Sequence, residues 1–286
     1  MSFTPRSNHP VATRTLKIVI GFFVLSWSIL PIYWGLVVSL STQASINQVP
    51  PPIIPSALTL EHYAQILDLG SDSGSQFYLA LTNSALQAGG STLLTLAVAL
   101  PAAYAFARLT FRGSAVLLTI LITTLAMPVY LVMIPLFRVA SSTGQTNTPQ
   151  VAVLILTSAA IPLAIWILRS HISGLPEDLE AAARLDGAST TTVLLRIVGP
   201  LIAPGVVAAA VVIFLSAWGA FLIPAVFTSS DLSQPLTVLI PKFASKFAQN
   251  LGIQAAAGVL AIIPPALLVI FLQRHLLSGL LKGASR

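Results

Sequence analysis

Six apolar runs, each free of Asp, Glu, Lys and Arg, divide this chain: Ile18 to Ser39, Phe77 to Phe106, Ala115 to Phe137, Val151 to Leu168, Leu201 to Phe227 and Ile253 to Leu272. Each is long enough to cross the roughly 30 Å of hydrocarbon in a bilayer, which takes about 20 helical residues. No water reaches that depth, so the backbone groups of each run must bond within it, which makes the runs helices. Composition agrees. Of 286 residues, 56% are hydrophobic and 8% are charged, against about 25% charged in a soluble domain. One aqueous core cannot hide that much apolar surface. The fold class is therefore all-α integral membrane with six transmembrane helices. The second run exceeds what a crossing needs, so its N-terminal part lies at the outer interface or tilts.

A basic arm, Arg6, Arg14 and Lys17, precedes the first run and resembles the n-region of a signal peptide. The apolar stretch is too long for an ordinary h-region and no A-x-A site follows it, so an uncleaved first helix is the better reading. Cytoplasmic loops collect Lys and Arg. A cytoplasmic N-terminus puts Arg6, Arg14, Lys17, Arg108, Arg112, Arg169, Arg184, Arg196, Arg274, Lys282 and Arg286 inside, and Arg138, Lys242 and Lys246 outside, a split of eleven to three among 14 cations. Both termini are then cytoplasmic. The chain divides into a cytoplasmic arm (1–17), a transmembrane domain (18–275) containing a charged loop (169–199), and a cytoplasmic tail (276–286).

Several chemistries are excluded at this level. The net charge of +6 comes without a basic patch interleaved with aromatics, so nucleic acid is not a partner. Cysteine is absent and the four histidines lack metal-ligand spacing. The bilayer is the first partner the sequence names.

The loops are of two kinds. Outside, residues 40–76 contain Pro50, Pro51, Pro52 and Pro55, a stiff extended stretch suited to crossing the outer face, followed by a short helix from Leu60 to Leu69 with Thr59 as its N-cap. Inside, the loop after the fourth run reads HISGLPEDLEAAARLDGASTTTVLLRIVGPLIAPG. Pro176 opens a helix with Glu177, Asp178 and Glu180 in its first turn, where the dipole favours acids. The Leu179 to Leu185 stretch ends at Asp186 and Gly187, and Gly187 is free to take the left-handed conformation that stops a helix. Ser189 caps a second short helix, Thr190 to Val198, which Pro200 closes. Helix, glycine turn and helix make a knob on the cytoplasmic surface. By spacing alone it is either an interfacial connector or a docking element.

This stretch resembles the EAA loop of bacterial ABC importer permease subunits: Glu-Ala-Ala, three residues, Gly, nine residues, Ile, one residue, Leu-Pro. Gly187, Ile197 and Pro200 keep the spacing; Ala181 stands six before Gly187 with Glu180 one place earlier, and Gly199 replaces the Leu. Asp186-Gly187-Ala188-Ser189 is similar to the carbohydrate-importer form of the loop. Leu58-Thr59-Leu60-Glu61-His62-Tyr63 resembles the segment between the first two helices. Phe214 to Pro224 is similar to the fifth helix, with Gly219 in place of an Asn. The match is to the six-helix subunit of maltose-type sugar importers.

The resemblance implies a permease subunit of the bacterial inner membrane that forms half of a translocation path for a small solute. A sugar, oligosaccharide or polyol is favoured, with a glycerol-phosphate ester also open. It implies a cytoplasmic coupling helix between helices 4 and 5, with Glu180, Ala181, Ala182, Asp186, Gly187, Ala188, Ile197 and Pro200 serving the ATPase. Its partners would be a second permease subunit, a cytoplasmic ABC ATPase dimer and an extracytoplasmic solute-binding protein. ATP and magnesium would sit on the ATPase and no cofactor on this chain. No lysine follows a glycine, so a Walker A loop is absent. The chain is not read as an enzyme.

An ion-coupled secondary transporter or a channel is the alternative. Secondary transporters commonly bury a coupling acid in the bilayer, whereas all eight acids here lie in loops or at interfaces. A channel leaves the 169–199 knob unexplained. For the solute path the candidates are Asn83 and Gln87, one turn apart in the second run, with Tyr130, Trp166 and Trp218; the amides equally suit hydrogen bonding between helices. Ala99, Ala103 and Ala107, four apart, suit close packing. The prolines inside the runs are bends for alternating access or static kinks.

Overall fold

The computed structural model describes residues 10–246 and 250–284; Arg6 and Arg286, and the ends of the arm and tail that carry them, lie outside the described residues. All named elements among the described residues are helical: α1 Pro10–Ser39, α2 Gln43–Ile46, α3 Glu61–Leu67, α4 Asp72–Arg108, α5 Ser114–Thr123, α6 Val129–Ser142, α7 Pro149–Ser173, α8 Asp178–Leu185, α9 Thr190–Val193, α10 Gly199–Leu201, α11 Ala203–Trp218, α12 Leu222–Phe227, α13 Leu236–Lys246 and α14 Leu251–Ala284. Among the described residues four helices are long and apolar enough to span a membrane, and the number rises to six if each of two sharply bent pairs is one span.

The bends have local causes. The expected third span, Ala115 to Phe137, is broken: the helices on either side of Met127 and Pro128 cross at 96°. Met127 is extended (φ −74°, ψ 128°), because the residue before a proline is pushed out of the helical region. The second bend is 81°, between Thr190–Leu201 and Ala203–Trp218. It falls at Ile202, and Pro204 then occupies the first turn of α11, where a missing N–H costs nothing. Pro200 therefore does not close the knob's second helix. A π turn, Leu194–Val198, precedes it and the helical run continues through Pro200 to Leu201. The expected fifth span becomes α11 and α12, separated by Gly219, Ala220 and Phe221.

By contrast α4 is unbroken for 37 residues despite Pro101, about 55 Å at 1.5 Å per residue. It begins at Ser71, whose hydroxyl accepts from Gly74 N at 3.0 Å, earlier than the expected Phe77. The main core lies where α4 runs along α7. Ala99 and Ala103 are fully buried there, so the small-residue stripe brings the two backbones together. Leu168, Ile172, Val198 and Ile213 complete this cluster, which ties α7, the knob's second half and α11 to α4. A second cluster, with Phe77, Phe243 and Ile253, joins α4, α13 and α14 at the opposite end.

The helix α1 lies along α14; its end is buried at Val37 and Ser39, but much of its length is exposed, with Phe22 and Trp27 each 70% accessible. An apolar surface of that length suits lipid or a neighbouring subunit. The proline-rich segment is pinned to the end of α1: Tyr33 donates to Ile53 O at 2.9 Å and Thr59 N to Leu40 O at 2.9 Å. The short helix after it is Glu61–Leu67, with Leu60 rather than Thr59 at the N-cap position and no side-chain cap bond there. The Thr59 hydroxyl instead accepts from Glu61 N at 3.2 Å, a turn one residue ahead of the helix.

Candidate functional site

Helix α8 has acids in its first turn, Asp178 and Glu180, where the partial positive charge of the N-terminus favours them. Glu180 is the acid that faces inward and is only 5% exposed. Its carboxylate accepts from the Tyr104 hydroxyl at 2.8 Å and from Arg108 Nε at 2.6 Å. Arg108 also donates through Nη2 to Leu175 O at 2.8 Å, and its Nη1 lies 3.6 Å from Glu177 Oε1. Arg184, in the last turn of α8, donates to the Tyr104 hydroxyl at 3.0 Å. Nearby, Arg169 Nε donates to Phe106 O at 3.3 Å, capping one of the last carbonyls of α4. A carboxylate taken out of water is costly unless it is hydrogen-bonded and a cation faces it; here each oxygen accepts one hydrogen bond and one of the donors is the Arg108 guanidinium.

The end of α8 is a Schellman motif: Ala188 N donates to Ala183 O and Gly187 N to Arg184 O, each at 3.0 Å. Gly187 has φ +84°, and nothing stands within 4 Å of where its Cβ would be. The glycine is needed for its backbone angle, as expected. Ser189 caps α9 by accepting from Thr192 N at 3.2 Å. At Gly199, whose amide closes the π turn onto Leu194 O, a Cβ would meet that carbonyl at 3.1 Å. Glycine in place of the family's leucine thus suits the close approach of the Leu194 carbonyl.

The knob has two faces. Ala181, Ala182, Asp186, Gly187 and Pro200 are exposed, and Ala188 and Ile197 are half-buried. Leu185 is 89% exposed, and Leu195 60%. Glu180 alone of the eight expected coupling residues is sealed inside, its carboxylate held by this chain's own Tyr104 and Arg108 rather than offered to a partner. Sequence reasoning missed those two. The available signal was their spacing: Tyr104 and Arg108 lie four apart on one face at the end of an apolar run.

The expected path residues do not form one lining. Asn83 (4% exposed) and Gln87 (1%) are buried. Asn83 donates to Leu232 O at 3.0 Å and Gln234 O at 3.2 Å, and Gln87 to Ser233 O at 3.3 Å. Between them the Ser84 hydroxyl accepts from Leu236 N at 2.8 Å. The amides therefore anchor the 228–235 loop, a polar version of the helix-packing role. Trp218 donates to Ala261 O at 3.2 Å and stacks on Phe214. Tyr130 is 68% exposed and Trp166 53%. Replacing Asn83 with alanine strands the buried Gln234 carbonyl and frees that of the exposed Leu232, at about 1–3 kcal/mol. The expected outcome is a lower melting temperature of the purified protein; an unchanged melt would show that the latch carries no stability.

The family model described as binding-protein-dependent transport system inner membrane component matches residues 96–282. The sulfoquinovosyl glycerol transport system permease protein SmoH of Agrobacterium fabrum is 32% identical over 270 residues, 94% of this chain and 93% of that protein. The trehalose/maltose transport system permease protein MalG of Thermococcus litoralis is 32% identical over 276 residues, 96% of this chain and 97% of the relative. The trehalose transport system permease protein SugB of Mycobacterium tuberculosis is 31% identical over 268 residues, covering 93% and 95%. Among solved structures, a chain of a bacterial ABC transporter involved in the import of alginate superposes with a TM-score of 0.79 at 21% identity, covering 96% of this chain and 99% of that one. The match spans the knob, the cluster beneath it and most of the membrane helices. This chain belongs to the family of binding-protein-dependent transport system inner membrane components.

Proposed function

We propose that this chain is one of two permease subunits of an ATP-driven carbohydrate importer, and that its 169–199 loop, with the knob it carries, is the part on which a cytoplasmic ATPase acts. Membership of the permease family carries the transport reading and displaces the ion-coupled transporter and the channel. The relatives' names, which specify sulfoquinovosyl glycerol, trehalose and maltose, support a carbohydrate.

The observation that supports coupling is the knob's division into an inward, hydrogen-bonded face and an outward face of Ala181, Ala182, Leu185 and Asp186. An 89% exposed leucine beside charged residues is an apolar contact left for a partner. On this reading the six spans are α1, α4, the bent pair Ser114–Ala126 with Val129–Ser142, α7, α11 and α14, and Thr190–Leu201 stays with the knob, turned 81° from α11. Arg108, Arg169 and Arg184 cluster at the knob's end of the molecule, which supports a cytoplasmic knob and cytoplasmic termini under the positive-inside rule. The arm 1–17, transmembrane domain 18–275 and tail 276–286 follow the same orientation. The ATPase dimer would hold ATP and magnesium, and the second permease subunit and a solute-binding protein would complete the inner-membrane complex.

Purification of the intact complex, with carbohydrate screening of its solute-binding protein, identifies the cargo. Vesicle uptake of that cargo should then require ATP on the cytoplasmic side. Uptake that persists without ATP and follows a proton gradient would overturn the reading.

A further inference from the structure

We propose that Tyr104 and Arg108 are positioning residues that fasten α8 to the inner end of α4, so that the coupling helix and the longest membrane helix move as one body. This rests on the coupling reading above and adds the route by which motion enters the membrane.

The attachment is made at three places on the knob. Glu180, in the first turn of α8, is held by Tyr104 and Arg108. Arg184, in its last turn, reaches back to the same Tyr104 hydroxyl. Leu175, in the link before α8, gives its carbonyl to Arg108. One contact would leave a hinge; attachments at both ends and at the entry fix the helix's direction as well as its position. Directional hydrogen bonds to charged groups resist sliding in a way that alanine packing does not. The Arg108 and Glu180 side chains are 7% and 6% exposed, so solvent screens the pair little.

Farther along α4, Asn83, Ser84 and Gln87 hold the 232–236 segment. Asn83 and Tyr104 are 21 positions apart, about 32 Å along an unbroken helix. A displacement of α8 is thus delivered by a rod whose other end is also tied down. The outer loop moves with the knob.

The absence of cysteine from the chain allows site-directed spin labelling without a prior substitution. With labels at Leu179→Cys on α8 and Val98→Cys on α4, both exposed positions, pulsed electron resonance on the intact transporter complex reads the distance between them. The expected result is the same distance with no nucleotide and after trapping with ATP and vanadate. Tyr104→Phe or Glu180→Gln should broaden or shift it between states by more than the about 1–2 Å of ordinary helix shifts. If Glu180→Gln fails to accumulate, Tyr104→Phe, which removes a single hydroxyl, carries the test. A distance that changes with nucleotide in the parent, or variants that keep it fixed, would overturn the proposal. Leu185→Glu separates the two levels. If it leaves co-purification of the ATPase intact, the coupling reading itself falls; if it abolishes co-purification while Tyr104→Phe changes nothing, only the fastening falls.

Discussion

Substituting alanine for Arg108 is expected to destabilise the protein by about 3–5 kcal/mol, the usual cost of leaving a buried charge without its partner. Glu180 is 5% exposed, and without Arg108 its remaining donor is the Tyr104 hydroxyl. Leu175 O would lose its donor as well. The measurement is the melting temperature of the purified protein together with its amount in the membrane, and both should fall. The double variant Arg108→Met/Glu180→Leu should recover most of the loss, because a well-packed apolar pair of similar size often matches a buried ion pair in stability. A single variant that melts with the wild type would show that Glu180 is not sealed as described. The double variant also separates folding from function: it should fold and still move its knob independently of α4.

Much of the fold was legible because the bilayer leaves the chain few options. A run without charges must be a helix, and the runs at 18–39, 77–106, 151–168 and 253–272 fall within α1, α4, α7 and α14. The two failures were of another kind. Hydropathy averages over a window and cannot see direction, so Ala115 to Phe137 reads as one rod although the chain turns at Met127 and Pro128. The proline was visible. Whether a proline bends a helix depends on what packs beside it, and Pro101 in α4 and Pro162 in α7 leave their helices continuous. The same argument explains Pro200: its missing N–H is absorbed by the π turn before it, which sequence periodicity at 3.6 residues does not register.

The site was half legible. The glycine turn at Gly187 and the cap at Ser189 are decided by residues within one turn of each other, and both stand as read. Glu180 could be placed in the first turn of α8 but not given a facing, because its partners are more than 70 positions away. Asn83 and Gln87 show the same limit, since their partners lie near residue 233. A buried amide spaced at one turn announces that something polar lies opposite. It does not say whether that is a solute or the chain's own carbonyls, and here the loop supplies them.

The glycine turn yields the sharpest functional test. Gly187→Val is expected to leave the protein in the membrane and abolish transport, whereas Gly187→Asn should transport near the normal rate. At φ +84° a β-branched side chain is a steric outlier, and even an ordinary residue costs roughly 1–2 kcal/mol there. A loss of that size lowers the population of the native turn by about 5- to 30-fold. Asparagine adopts this conformation far more readily. Space plays no part, since nothing lies within 4 Å of the missing Cβ, so a difference between valine and asparagine reports backbone angle alone. The turn sets where Ala188 and the helix after it lie relative to α8, and hence the shape of the outward face. Vesicle uptake of the cargo identified by binding-protein screening is the measurement, with membrane content as the control for insertion. Normal uptake by the valine variant would mean that the knob's shape is irrelevant to transport, and the ATPase would have to act elsewhere on the chain. Loss in both variants would point to a contact made by the glycine backbone itself, which asparagine's side chain would block.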